Sequence, residues 1–81
     1  MSIRLYLILW IARISNVCEI RVHPAHYAQL LREMTTADTR MPLGDTSSGV
    51  WFRGILVIPD TLYTKPGLRT PQGWYRLSYV G

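Results

Sequence analysis

Eight consecutive apolar residues, Leu5 to Ala12 (LYLILWIA), stand between Arg4 and Arg13. Such a run has to be buried or covered wherever the fold puts it. Both alternating faces are apolar. Ile3, Leu5, Leu7, Leu9 and Ile11 fall on one side, and Tyr6, Ile8, Trp10 and Ala12 on the other. That pattern predicts a strand buried on both faces or covered by a partner. A short helix is the alternative, because periodicity does not separate the two in a dense apolar run. Crossing a bilayer takes about 20 apolar residues, so the run does not span one. Arg4 before it resembles the start of a signal peptide, but Arg13 to Cys18 offers no small-x-small cleavage site. The expectation is therefore a core or interface strand, not a leader.

The rest of the chain must supply the cover. With 81 residues, folding buries only roughly 60–65% of the unfolded surface. One small domain over 1–81 is expected, too small for a doubly wound nucleotide-binding sheet. The single cysteine, Cys18, excludes an internal disulfide framework and an all-cysteine zinc site. Nine basic residues against five acidic give +4, and eight of the nine are Arg. Arginine favours bidentate and stacked contacts. No run of like charge forms a basic or acidic tail.

Ser15-Asn16 is a candidate turn, and Val17 to Val22 alternates with Cys18, Ile20 and Val22 inward, completing a predicted hairpin with the first strand. His23-Pro24 stops it. Pro24 suits a first helical position, and Tyr27, Leu30, Leu31 and Met34 follow at i, i+3, i+4, i+7, predicting a helix from Pro24 to about Thr35. Thr35 to Gly49 reads as a loop. Val50 to Ile58 reads as one strand with a bulge at Gly54. Pro66-Gly67 and Pro71-Gln72-Gly73 are turn signals, with Leu62-Tyr63 a possible short bridge, and Trp74 to Val80 is a closing strand. The expected fold is α+β in the order ββαββ, with one helix on a mostly antiparallel four-stranded sheet. The helix stripe should meet Phe52, Leu56, Leu77 and Tyr79.

Reactive constellations are thin. Cys18, His23 and His26, with Glu19 nearby, match no standard zinc spacing. His23 is expected to cap the helix and His26 to face solvent. Cys18 reads as a small buried hydrophobe. No nucleophile has a base placed beside it, Asp38, Asp45 and Asp60 lack paired spacing, and no glycine loop cradles phosphate. Neither enzymatic activity nor a metal or other cofactor is expected.

One internal echo remains. Trp51-Phe52-Arg53 and Trp74-Tyr75-Arg76 each open a predicted strand. Alternation puts Trp and Arg on one face and Phe52 and Tyr75 on the other, toward the helix. Trp51, Arg53, Trp74 and Arg76, with Arg21 at the edge, are therefore the candidate partner-binding residues. Cross-strand packing alone would explain them. So would a protein interface or single-stranded nucleic acid stacked on the sheet.

Two segments carry a resemblance. Val22-His23-Pro24-Ala25-His26-Tyr27-Ala28-Gln29-Leu30-Leu31 resembles the x-Pro-x-x-Tyr-x-x-Leu helix start of tailed-bacteriophage proteins. Phe52-Arg53-Gly54-Ile55-Leu56-Val57-Ile58-Pro59-Asp60 resembles the Phe-x-Gly-x-x-Val-x-x-Asp strand that follows it. The pairing is similar to small phage proteins of unknown function and to a segment of HK97-type major capsid proteins. It covers about half the chain and carries over no catalytic residue. It implies a phage origin. The expected function is a non-enzymatic protein-binding module that acts on a host protein or complex in the host cytoplasm, as a takeover or anti-defence inhibitor. The alternatives are a minor virion component, a decoration or tail-associated subunit, and a single-stranded nucleic-acid binder. A homo-oligomer through the N-terminal strand is a further expectation; membrane association is not.

Overall fold

The computed structural model describes residues 2–39 and 44–76. The apolar run is a helix, α1 (Ile3–Arg13), not a strand. A run apolar in every direction fits either period, so its ends decide. Ser2 caps the start, its Oγ accepting the Leu5 N–H. The Glu33 carboxylate accepts from Ser2 Oγ and from the Arg4 N–H, satisfying a helix-start donor and putting negative charge at the positive end of the helix. Helical spacing then buries Ile3, Tyr6 and Leu7, with Trp10, Ile11 and Ile14 packed beside them. One side of a helix cannot use all of this apolar surface, and Leu5 and Leu9 are left 54% exposed.

β1 (Glu19–Val22) therefore has no hairpin partner in residues 3–14. It lies at the centre of the sheet, parallel to β3 and antiparallel to β4. Cys18 was expected to point inward but is exposed. The strand begins one residue later, and the Cys18 thiol turns back toward the Asn16 carbonyl at 3.4 Å. α2 (Pro24–Glu33) forms as its sequence predicts, with His23 Nδ1 accepting the Ala25 N–H and Pro24 in the first turn. Tyr27 and Leu30 are buried, and Leu31 and Met34 pack against the core. His26 is half-buried rather than facing solvent.

The predicted strand 50–58 is two strands. β2 (Val50–Phe52) and β3 (Ile55–Pro59) form an antiparallel hairpin around Arg53-Gly54. Both turn residues have positive φ, 51° and 82°, as a tight two-residue turn requires. This turn flips the alternation. Phe52 pairs with Ile55, so the core side continues through Ile55 and Val57, and Leu56 moves to the other face. Leu56 is therefore not a partner of the helix stripe; Phe52 is in the core, and Leu77 and Tyr79 lie outside the described residues. β4 (Gly67–Thr70) occupies the stretch expected to be turns, and β5 (Gly73–Arg76) follows it through Pro71-Gln72. Residues 77–80 of the predicted last strand lie outside the described residues. Among the described residues the result is α+β, with two helices and a five-stranded mixed sheet in the order β2-β3-β1-β4-β5, in place of one helix on four mostly antiparallel strands. The core lies between the helices and one sheet face, where Ile20, Val22, Val50, Phe52, Ile55, Val57 and Leu68 meet Ile3, Tyr6, Leu7, Tyr27 and Leu30.

Asp38 ties these layers together. Its side chain is fully buried. Arg4 of α1 grips it through two nitrogens, Nε to Oδ2 at 2.7 Å and Nη2 to Oδ1 at 3.2 Å. Arg53 Nε reaches Oδ1 at 3.0 Å from the hairpin turn, and the Thr35 N–H donates to Oδ2. The Asp38 carbonyl also accepts the Arg53 N–H at 2.7 Å. Burial pushes the carboxyl up, but the Arg4 and Thr35 hydrogen bonds and the charges of Arg4 and Arg53 outweigh it and hold the pKa at about 2.

Two outcomes are expected. Asp38→Ala removes the shared acceptor of the part-exposed Arg4 and Arg53 and costs about 1.5–3 kcal/mol in denaturant unfolding, a large part of what a small domain has. Wild-type stability should fall by about 2 kcal/mol as pH drops from about 5 toward 2. The sign follows from the depressed folded-state pKa: the carboxylate's contribution is complete above the ordinary value of 3.8 and is lost on descent through 2. A stability curve flat across that range, or an Asp38→Ala loss below about 0.5 kcal/mol, would contradict this placement.

Candidate interaction face of the sheet

Both helices lie on one side of the sheet, and no described element other than the loop before β4 lies over the other side. Cross-strand pairing puts two rows of side chains there. The first runs Trp51, Leu56, Glu19, Arg69, Trp74 across all five strands. The second runs Ile58, Arg21, Gly67, Arg76. Four of the five residues selected from sequence thus share this face: Trp51, Trp74, Arg76 and Arg21. Arg53 does not. It belongs to the hairpin turn, and its guanidinium is bound to Asp38.

Trp51 and Trp74 stand at opposite edges, 59% and 42% exposed. Beside Trp51 lie the half-buried Leu56 and Ile58. The centre of the face is ionic and largely self-satisfied. Arg21 donates from Nε to Glu19 at 2.8 Å and from Nη1 to Asp60 at 2.9 Å. Arg69 approaches Glu19 at 3.6 Å. Donation to Glu19 and then to Asp60 pushes the Arg21 pKa up. The Leu62 N–H, then Arg21, hold the Asp60 carboxyl below the usual range. Three arginines (Arg21, Arg69, Arg76) face two carboxylates, so the net charge of this surface is small.

The far edge holds an aromatic cluster that alternation does not reveal. Tyr63 folds over Gly67, and a β-carbon there would lie 2.5 Å from Tyr63 Cε2. Only glycine leaves the strand surface open for the ring. Tyr63 packs against Trp74 at 5.6 Å between centroids, and the Arg76 guanidinium lies 4.2 Å from the Tyr63 ring centre. That spacing is a cation–π contact. Tyr63, Arg69, Leu56 and Ile58 are the members that sequence reasoning missed. Leu56 and Ile58 were hidden by the turn at Arg53-Gly54. Arg69 lies on an unrecognised strand, and Tyr63 on a loop. The one available signal for Tyr63 is Gly67 itself, since glycine in a strand often marks a close approach.

Among the described residues no group of three or more His, Cys, Asp or Glu side chains could hold a metal ion. No described helix is long and apolar enough to cross a membrane. No protein-family model, curated protein or solved structure matches the chain.

Gly67→Ala should displace the Tyr63 ring and cost about 1–3 kcal/mol. The near-ultraviolet circular dichroism of the Tyr63–Trp74 pair should change with it. Trp51→Ala should stay within about 0.5 kcal/mol of wild type, as surface substitutions do. A tolerated Gly67→Ala with an unchanged aromatic spectrum would mean the ring does not sit on the strand.

Proposed function

We propose that the chain is a non-enzymatic protein-binding module, and that Trp51, Trp74 and Arg76, with Tyr63, form its contact surface. The observation that carries this reading is the exposure of two tryptophans on a sheet face that no described helix covers. Tryptophan, tyrosine and arginine are the residues that dominate binding energy at protein interfaces. Large exposed apolar side chains on a small protein commonly mark such a site.

The electrostatics favour a protein over a nucleic acid. Glu19 and Asp60 sit in the middle of the face and engage Arg21, and Glu19 also approaches Arg69. A phosphate backbone crossing the sheet would meet two carboxylates and already paired arginines. Stacking platforms for single strands combine aromatic rings with a positively charged groove, and this face has the rings without the groove. The sequence resemblance to small tailed-phage proteins supports a phage origin, with a host protein in the host cytoplasm as the target.

Comparative capture from host lysate tests the reading. A stoichiometric protein should be retained by wild type and lost by the Trp51→Ala/Trp74→Ala double variant, each tryptophan being worth roughly 2–4 kcal/mol. Arg76→Glu should weaken the same partner. Far-ultraviolet circular dichroism should show all variants folded. Retention by the double variant would overturn the assignment of the face. Loss of binding on nuclease treatment, with affinity falling steeply between about 50 and 200 mM salt, would overturn the choice of partner.

A further inference from the structure

The sheet has two edges, and they are treated differently. At the end of β2 the Asp38 carbonyl takes the N–H of Arg53, the residue that follows the strand. β2 is also only three residues long. Short length and cover are both ways of blunting an edge. Among the described residues nothing pairs with or covers the outer side of the four-residue β5. All four of its residues are exposed, its ladder with β4 runs without a bulge from Gly73 to Arg76, and it contains no proline.

The free backbone groups of β5 can be placed. The Arg69 carbonyl accepts the Cys18 N–H at 2.8 Å, so it points toward β1 and away from β5. Arg69 and Trp74 therefore form a non-hydrogen-bonded pair, and by alternation so do Gly67 and Arg76. The N–H and C=O groups of Trp74 and Arg76 face the open edge. Their side chains stand on the uncovered sheet face, while Tyr75 stands on the helix side opposite Leu68 and is still 45% exposed. An aromatic ring thus flanks the open edge on each side.

We propose that this edge pairs with β5 of a second copy, antiparallel about a twofold axis at Tyr75, joining the two sheets into one of ten strands. In this register Trp74 lies opposite the partner's Arg76, and Arg76 opposite the partner's Trp74. Those are the residues whose backbone groups point outward, so the ladder and the side chains agree. Each guanidinium, already on its own Tyr63 ring, gains an indole from across the strand, a favourable cation–π pairing. Tyr75 meets the partner's Tyr75, an aromatic cross-strand pair of the kind that stabilises sheets. Centred on Trp74 instead, Arg76 would face Gln72 and Tyr75 would face Gly73, and both pairings are lost. The two uncovered faces become continuous, with a Trp51 at each far end. This interface shares Trp74 and Arg76 with the contact surface proposed above but not Trp51, and because the pairing needs no other protein, its failure in the purified chain is distinct from loss of a partner.

Sedimentation of the full chain across a concentration series tests the pairing. The expected result is a concentration-dependent shift from the 9.3 kDa monomer to about twice that mass. The contact is short, and association should fall in the micromolar range. Arg76→Pro removes an outward N–H without touching a β4 bond and should abolish the dimer. Tyr75→Lys sets like charges face to face on the axis and should do the same. Trp74→Glu should retain the dimer, because the new carboxylate meets the partner's Arg76, whereas Trp74→Arg should lose it. Circular dichroism checks that each variant is folded. A wild-type chain monomeric up to about 1 mM would overturn the proposal, as would a dimer indifferent to both Arg76→Pro and Tyr75→Lys. Loss of the dimer in folded Trp74→Glu would overturn the register.

Discussion

A buried carboxylate joins three segments that are far apart in the chain. Asp38 is held by Arg4 from the first helix and by Arg53 from the β2–β3 turn, while Thr35 after the second helix binds it locally. A charge taken out of water needs most of its hydrogen-bonding capacity satisfied to be tolerated, and these donors provide that. Their geometry also fixes relative positions. With Arg4 and Arg53 on one carboxylate, the start of α1 is anchored beside the β2 edge and the hairpin turn is drawn to the same place. Glu33 repeats the device on a smaller scale by capping α1 from the end of α2.

Both helices are thereby committed to one side of the sheet. The core needs only that side, and Ile20, Val57 and Leu68 on three adjacent strands are fully buried there. The opposite side receives a tyrosine from a loop and an ion network of its own, and nothing among the described residues closes it over. What that side offers a partner follows from this division of labour. Tryptophans stand at its two edges, paired charges in its middle, and one end is stiffened by the Tyr63, Trp74 and Arg76 stack.

The legible parts of the sequence were those governed by local chemistry. α2 announced itself through Pro24 at its first turn and through a stripe at helical spacing. The shared face of Trp51 and Trp74 was also readable, because each is one residue from an inward aromatic, Phe52 or Tyr75. Elements decided by distant residues were not readable. The apolar run fitted two periods equally, and its local Ser2 cap is completed by Glu33, 29 residues beyond Arg4. The hairpin between β2 and β3 was hidden because arginine is an unusual residue in the left-handed region. Arg53 is held there by Asp38, 15 residues earlier, and no local turn signature marks it. That single misreading put Leu56 and Ile58 on the wrong side and Arg53 on the candidate face. β4 was lost because Pro66-Gly67 reads as a turn whereas Gly67 opens the strand, and the three residues left before Pro71 are too few to show a period.

The central claim is that one sheet face is sealed and the other open, and β3 carries adjacent residues on each. The direct measurement is nuclear magnetic resonance relaxation enhancement by a neutral soluble paramagnetic agent, read on methyl and indole protons of the monomer at low concentration. The Trp51 and Trp74 indoles should relax strongly. Leu56 and Ile58 methyls should relax faster than those of Val57 and Ile55 between and beside them. Protection of Trp51 and Trp74 equal to that of Val57, or no alternation along Ile55 to Ile58, would contradict the account.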